Sequence, residues 1–180
     1  MKAAIICGSR DQGYTSEMCR SFSKGLAVHS ITSAIFFPLK MEIGHCSGCG
    51  CCSESGTCCI SDEMGLLYKA FRECDLFVLA SPIHFSGPSS SIKVVIDRFQ
   101  PFWSVEGKHP RFSAALLSGG SPSPRFANAV SEFKAFSAGT KMECLGSLEI
   151  PGTDSMDISD VAEPSFDFAK EIGMKIKDRR

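Results

Sequence analysis

The run Lys2-Ala3-Ala4-Ile5-Ile6-Cys7, continued by Gly8-Ser9-Arg10-Asp11-Gln12-Gly13-Tyr14 and then Thr15, decides the fold class. A short, almost continuously apolar run reads as a strand buried on both faces, the situation of a parallel sheet covered by helices on each side. The glycine-bounded stretch is turn chemistry. Thr15 reads as the N-cap of a helix that brings Met18, Cys19, Phe22 and Leu26 onto one face.

The alternation continues along the chain. Ile31 to Leu39 reads as a second strand, and Asp62 opens a helix with Met64, Leu67 and Phe71 inward. Asp75 to Ser81 is the strongest strand pattern, followed by a helix that starts near Pro88 and carries Ile92, Val95, Ile96 and Phe99. Phe112 to Ser118, a helix from about Pro124 to Ala138, and Met142 to Ile150 follow, before a last helix through Phe166, Phe168, Ile172 and Ile176. Strands alternating with helices predict an α/β three-layer sandwich whose five parallel strands lie in the flavodoxin-like order 2-1-3-4-5. Residues 1–180 are expected to form a single domain, with a cysteine-rich loop at 44–61.

Composition narrows the function classes. Nineteen basic against twenty acidic residues leave a net charge of −1, so no polyelectrolyte partner is implied and nucleic-acid binding is not expected. No apolar run has the length of a membrane span, and the apolar start is too short for a signal-peptide core, so a cytoplasmic protein is expected. Of ten cysteines, Cys46, Cys49, Cys51, Cys52, Cys58 and Cys59 are clustered. In a reducing compartment, clustered thiols point to metal or redox chemistry rather than to a disulfide framework. The scattered Cys7, Cys19, Cys74 and Cys144 are expected in the core.

Ligands of such folds bind outside the carboxyl ends of the strands. The loops after the first four strands are the least ordinary segments of this chain. The first offers glycines, hydroxyls, Arg10 and a helix N-terminus, a combination suited to a phosphate. It lacks Gly-x4-Gly-Lys-Ser/Thr and Gly-x-Gly-x-x-Gly. A cysteine-dependent phosphatase loop would need arginine six residues beyond its nucleophile, where Cys7 has Gly13. A mononucleotide remains. The loop Ser81-Pro82-Ile83-His84-Phe85 offers main-chain donors beside an aromatic and an imidazole, a wall for a flat heteroaromatic ring; His84 reads equally as a solvent-facing loop histidine. Ser118-Gly119-Gly120 could approach the same ring closely or simply connect two elements.

Gly8-Ser9-x-x-x-Gly13-x-Thr15, the cysteine loop with Asp62 beyond it, Ser81-Pro82-Ile83-His84-Phe85, and Ile92-Lys93-x-x-Ile96-Asp97-Arg98 occur in that order. In this the chain resembles the NADPH-dependent FMN reductase and iron–sulfur flavoprotein family. The resemblance covers roughly residues 1 to 150. It implies FMN, with the phosphate held around Ser9, Arg10, Gly13, Tyr14, Thr15 and Ser16. The ring would lie against Ser81, Pro82, Ile83, His84 and Phe85, and against Ser118, Gly119 and Gly120. The family usually carries tyrosine where this chain has His84. It further implies NAD(P)H as co-substrate, a small-molecule or protein electron donor or acceptor, and a homodimer or homotetramer, with the apolar Phe99–Trp103 stretch exposed for a subunit contact. Lys93 and Asp97 also fit a plain helical ion pair.

Cys46, Cys49, Cys52 and Cys58 have the spacing Cys-x2-Cys-x2-Cys-x5-Cys, which suits three corners of one iron–sulfur cubane and a fourth ligand beyond a short excursion. The same spacing marks the iron–sulfur members of the family that the chain resembles, in which a [4Fe–4S] cluster passes electrons to FMN. Metal-free reactive thiols and a zinc site are the alternatives, and Cys51 and Cys59 compete for the second and fourth places. His45 reads as solvated. An FMN-dependent oxidoreductase is therefore expected; a non-enzymatic flavodoxin-type carrier and a zinc-clipped regulatory module are the other classes.

Overall fold

The computed structural model describes residues 1–104 and 107–179. The chain runs through β1 (Lys2–Cys7), α1 (Tyr14–Ala27), β2 (Thr32–Phe36), α2 (Cys51–Ser55), α3 (Met64–Glu73) and β3 (Leu76–His84). It continues with β4 (Gly87–Pro88), α4 (Ser90–Arg98), α5 (Gln100–Ser104) and β5 (Phe112–Ser118), then α6 (Ala127–Gly139), β6 (Glu143–Ile150) and α7 (Ala162–Asp178). The parallel sheet has the order β2-β1-β3-β5-β6, while β4 is an antiparallel return on the end of β3. With that return set aside, the order is the predicted 2-1-3-4-5.

Strand geometry explains the continuous apolar runs. Ala3, Ile5 and Cys7 join one core with Leu76, Val78, Ala80 and the inner faces of α1 and α7. Ala4 and Ile6 point the other way, into a second core with Phe77, Leu79, Phe71, Val95 and Phe133. Successive strand residues face opposite sides, so a strand between two helix layers must be apolar throughout. On the first face α1 and α7 pack very closely: a Cβ on Gly25 would stand 2.4 Å from the Phe166 carbonyl oxygen and 2.6 Å from the Ala169 Cβ.

Several boundaries differ from the sequence reading. α1 begins at Tyr14 with Gly13 as N-cap, because the Thr15 hydroxyl is buried and bonded to Ser118 Oγ at 2.7 Å. The chain leaves β2 at Phe36 and turns through a short 3-10 segment at Pro38–Lys40, where proline supplies no donor to a ladder. β3 runs on to His84, three residues into the predicted loop, because β4 pairs with its end. Pro88 therefore lies in a strand and α4 starts at Ser90. Cys144 is exposed, since β6 is the sheet edge. The Phe99–Trp103 stretch is mostly inside: Phe99 packs with Phe71, Phe77 and Phe136, and only Trp103 protrudes, 68% exposed. The Lys93–Asp97 pair is present on α4. Among the described residues no helix is long and apolar enough to cross a membrane.

The largest fully buried side chain is Arg98. Its guanidinium donates to both Asp62 oxygens at 2.6 and 3.0 Å, to the Gly44 carbonyl at 2.7 Å and to the Ile60 carbonyl at 3.3 Å. Asp62 in turn accepts from the Gly44 and Met64 N–H groups at 2.8 and 3.0 Å. Both ends of the cysteine segment are thereby fastened to α4. Burial alone would push the Asp62 carboxyl up, but hydrogen bonds from Arg98, Gly44 and Met64 outweigh it and hold the group below its ordinary 3.8.

Removing one partner leaves an uncompensated charge in the interior, so Asp62→Ala is expected to cost roughly 3–5 kcal/mol in urea unfolding. The depressed carboxyl stabilises fully above its ordinary value, and that stabilisation is lost as pH falls through the lower folded value. Urea midpoints measured from about pH 6 to about pH 3 should therefore fall more steeply in the parent protein than in Asp62→Asn.

Candidate functional site

From β1 the chain reaches β2 on one side and β3 on the other, so the loops beyond their carboxyl ends diverge. A crevice opens at such a switch point. Here it is a cavity of about 860 Å³, ample for a mononucleotide-sized ligand. One end is formed by Ser9, Arg10, Gly13, Tyr14 and Thr15, where the unpaired N–H groups and positive dipole end of α1 favour an anion. Pro82, Ile83, His84 and Phe85 make a second wall, and Ser118 and Gly120 a third.

Three predicted residues lie behind the wall. The buried Ser16 hydroxyl accepts from the Gly13 N–H at 2.9 Å and reaches the Asp11 carbonyl at 2.9 Å, which shapes the turn from within. Ser81 Oγ accepts from the Ser89 N–H at 2.8 Å and donates to the Pro82 carbonyl at 2.8 Å. Gly119 is pressed under Pro124, whose Cγ would stand 2.4 Å from an added Cβ.

The sequence reading passed over Arg125, Thr153 and Asp154, which also line the cavity. The last two follow β6, and the carboxyl-end rule extends to that strand as it does to the other four. Asp154 comes so near the β5 loop that an added Cβ on Gly120 would stand 2.4 Å from its carboxylate, so a larger residue there would displace the Asp154 side chain.

The anion end is rigidly braced. Asp11 is paired with Lys40 at 2.5 Å and Arg20 at 2.7 Å, and the Lys40 hydrogen bond, with Arg20 behind it, holds its carboxyl below the usual value. Tyr14 donates to the Met156 carbonyl at 2.7 Å. Beneath the loop, Cys7 is buried beside Cys19 and Ser9; the hydrogen bond from Cys19 outweighs burial and brings its pKa down to about 7.

The aromatic wall is the tip of the β3–β4 hairpin. Phe85 (φ 49°) and Ser86 (φ 67°) both occupy the left-handed region, as a two-residue hairpin turn demands. Asn-Gly is the favoured pair for such a turn, and a bulky side chain at positive φ is strained. Phe85 is fully exposed over the cavity, so no packing offsets that strain.

A second cavity, of about 440 Å³, is lined by Cys46, Cys49, Cys52 and Cys58, together with Cys59, Asp97 and Gln100. Gly48 (φ 67°) and Gly50 (φ 76°) turn the chain back on itself there. The short helix α2 follows in a segment that the sequence presents only as loop. All four predicted ligands thus face one space with soft thiol donors, which suits a cluster or a thiophilic metal. His45 is exposed and lies off this lining.

The hairpin strain has a measurable consequence. Phe85→Asn combined with Ser86→Gly is expected to raise folding stability by about 1 kcal/mol or more in urea unfolding of the ligand-free protein.

Comparison with known proteins agrees with this architecture. The chain is 33% identical over 102 residues to an iron-sulfur flavoprotein of Methanocaldococcus jannaschii, covering 56% of this chain and 53% of that protein. It is 32% identical over 113 residues to an iron-sulfur flavoprotein of Archaeoglobus fulgidus, covering 61% and 51%. The matches thus span about half the length of these curated relatives. In fold it is similar to a flavone reductase (TM-score 0.78, 16% identity, 99% of this chain and 64% of that one). It is likewise similar to an NAD(P)H:quinone oxidoreductase from Methanothermobacter marburgensis (TM-score 0.72, 13% identity, 98% and 97%). The sequence model of the NADPH-dependent FMN reductase family matches residues 1–147, and the chain belongs to that family.

Proposed function

We propose that residues 1–180 form one FMN-binding unit of an FMN-dependent oxidoreductase, with NAD(P)H or a [4Fe–4S] cluster as its electron source and a small-molecule or protein acceptor. The observation that carries this reading is the switch-point cavity, anion-binding at one end and flat-walled at the other. Ser9, Arg10, Gly13, Tyr14 and Thr15 would hold the phosphate. Pro82, Ile83, His84, Phe85, Ser118 and Gly120 would flank the ring, with Ser16, Ser81 and Gly119 positioning those contacts from behind. Bound FMN supplies hydride and single-electron transfer, and the chain supplies orientation and electrostatics.

Cys46, Cys49, Cys52 and Cys58 would hold the cluster, on a segment whose two ends Arg98 keeps in place. The names of the curated relatives support that choice over a zinc clip. A homodimer or homotetramer is part of the same reading, supported by Trp103 standing exposed beside an apolar cleft with Ile96, Ala135 and Phe136.

Protein prepared without oxygen should bind about one FMN per chain and discriminate against riboflavin, which lacks the phosphate. Arg10→Ala is expected to weaken FMN roughly tenfold or more and leave riboflavin unchanged, as loss of a charge-assisted bond predicts. Equal weakening of both ligands in a fluorescence titration would move Arg10 away from the phosphate. Serine at Cys46, Cys49, Cys52 or Cys58 should abolish bound iron and sulfide while FMN is retained, and steady-state NAD(P)H oxidation separates a reductase from a passive carrier.

A further inference from the structure

We propose that Cys49, Cys51 and Cys59 form a second site, overlapping the cluster set at Cys49, for one soft, thiophilic cation of the zinc or copper(I) class. Among the described residues, these three sulfurs lie within 4.8 Å of one another, and Cys49 Sγ is 3.4 Å from Cys59 Sγ. Thiolates on a single zinc sit at about 2.3 Å from it, so two of them can be at most about 4.6 Å apart. On one tetrahedral ion they lie about 3.8 Å apart, so the triad needs to close by at most about 1 Å to hold a single ion.

A cubane asks for the opposite arrangement, because each of its thiolates binds a different iron and the sulfurs must diverge. Two sulfurs as close as those of Cys49 and Cys59 cannot occupy two corners at once. Five of the clustered cysteines, Cys46, Cys49, Cys52, Cys58 and Cys59, line the second cavity, whereas Cys51 does not, so Cys51 is the member of the triad that lies off the cluster space. Adjacent helical residues point about 100° apart, so when Cys52 faces the cavity its neighbour Cys51 faces elsewhere, toward Cys49 and Cys59. All three thiols of the triad are exposed, so an ion can enter directly from solvent.

Binding converts three thiols to thiolates and releases their protons to water; no electron moves. Three protein ligands leave a fourth position open, which makes the ion exchangeable rather than structural. Cys49 belongs to both sets, so an ion in the triad excludes the cluster. That exclusion rests on the cluster reading above; the ion site does not.

The test uses the full chain, prepared anaerobically, reduced and freed of metal with a chelator, then titrated with Co²⁺ followed by Zn²⁺. The parent protein should show a thiolate-to-cobalt charge-transfer band that saturates at one ion per chain and is bleached by zinc. Cys51→Ser, Cys59→Ser and Cys59→Ala should each lose most of that band and still assemble iron and sulfide on reconstitution. Cys46→Ser and Cys58→Ser should keep the cobalt band and lose the iron. An undiminished band in the Cys51 and Cys59 variants, or equal loss in the Cys46 and Cys58 variants, would overturn the proposal, as would loss of iron in both Cys59 variants. If the parent binds cobalt as described yet never assembles iron, the cluster reading fails and the ion site stands.

Discussion

The cysteine segment is held by one buried cation. Arg98 has its charge opposed by Asp62 and bridges carbonyls at the two ends of that segment, Gly44 and Ile60. Desolvating a guanidinium costs several kcal/mol, so this arrangement contributes through what it positions more than through net stability. Without it, a loop rich in glycine, serine and cysteine would have no reason to present four thiols to one space. Tyr68 donates to the Arg98 carbonyl, which joins the same point to the aromatic core.

The larger crevice depends on a comparable set of ties. Thr15 to Ser118 joins the first turn of α1 to the end of β5, Tyr14 to Met156 joins it to the connection after β6, and Ser89 to Gly8 joins α4 to the turn after β1. Each bond crosses between elements distant in sequence, so the walls keep their spacing without a ligand. The hairpin tip is the exception. It carries local strain at Phe85 and Ser86, the sort of stored cost that accumulates where function needs a side chain in one place.

The layers of the fold were legible because burial on two faces leaves a simple pattern: apolar runs such as Leu76–Ala80, and helical spacing such as Met64, Leu67, Phe71. The phosphate-type turn was legible because glycine, hydroxyl and guanidinium chemistry is local. What escaped was set by pairing at a distance. Thr15 looks like a cap until its partner Ser118 is known, and Pro82–His84 looks like a loop until β4 returns along it. In the sequence Arg98 stands only at the end of a helical motif, since nothing in its neighbourhood announces that it reaches back to Gly44 and Asp62. Asp154 was invisible because its role arises from proximity to Gly120, across the crevice.

The seam between α1 and α7 bears on how the chain must be handled as a physical object. The family match ends at residue 147, before α7 begins, yet Ala169, Ile172 and Ile176 share a core with Phe22, Leu26 and Val78. With Gly25 lodged against the backbone of Phe166, this last helix has a fitted seat that no larger residue at position 25 would allow. A fragment trimmed to the matched region would lay bare the apolar surface of α1 and of the sheet that α7 covers, and such a patch drives association between copies. The shortest piece that behaves as a folded body is thus longer than the portion by which its kinship is recognised.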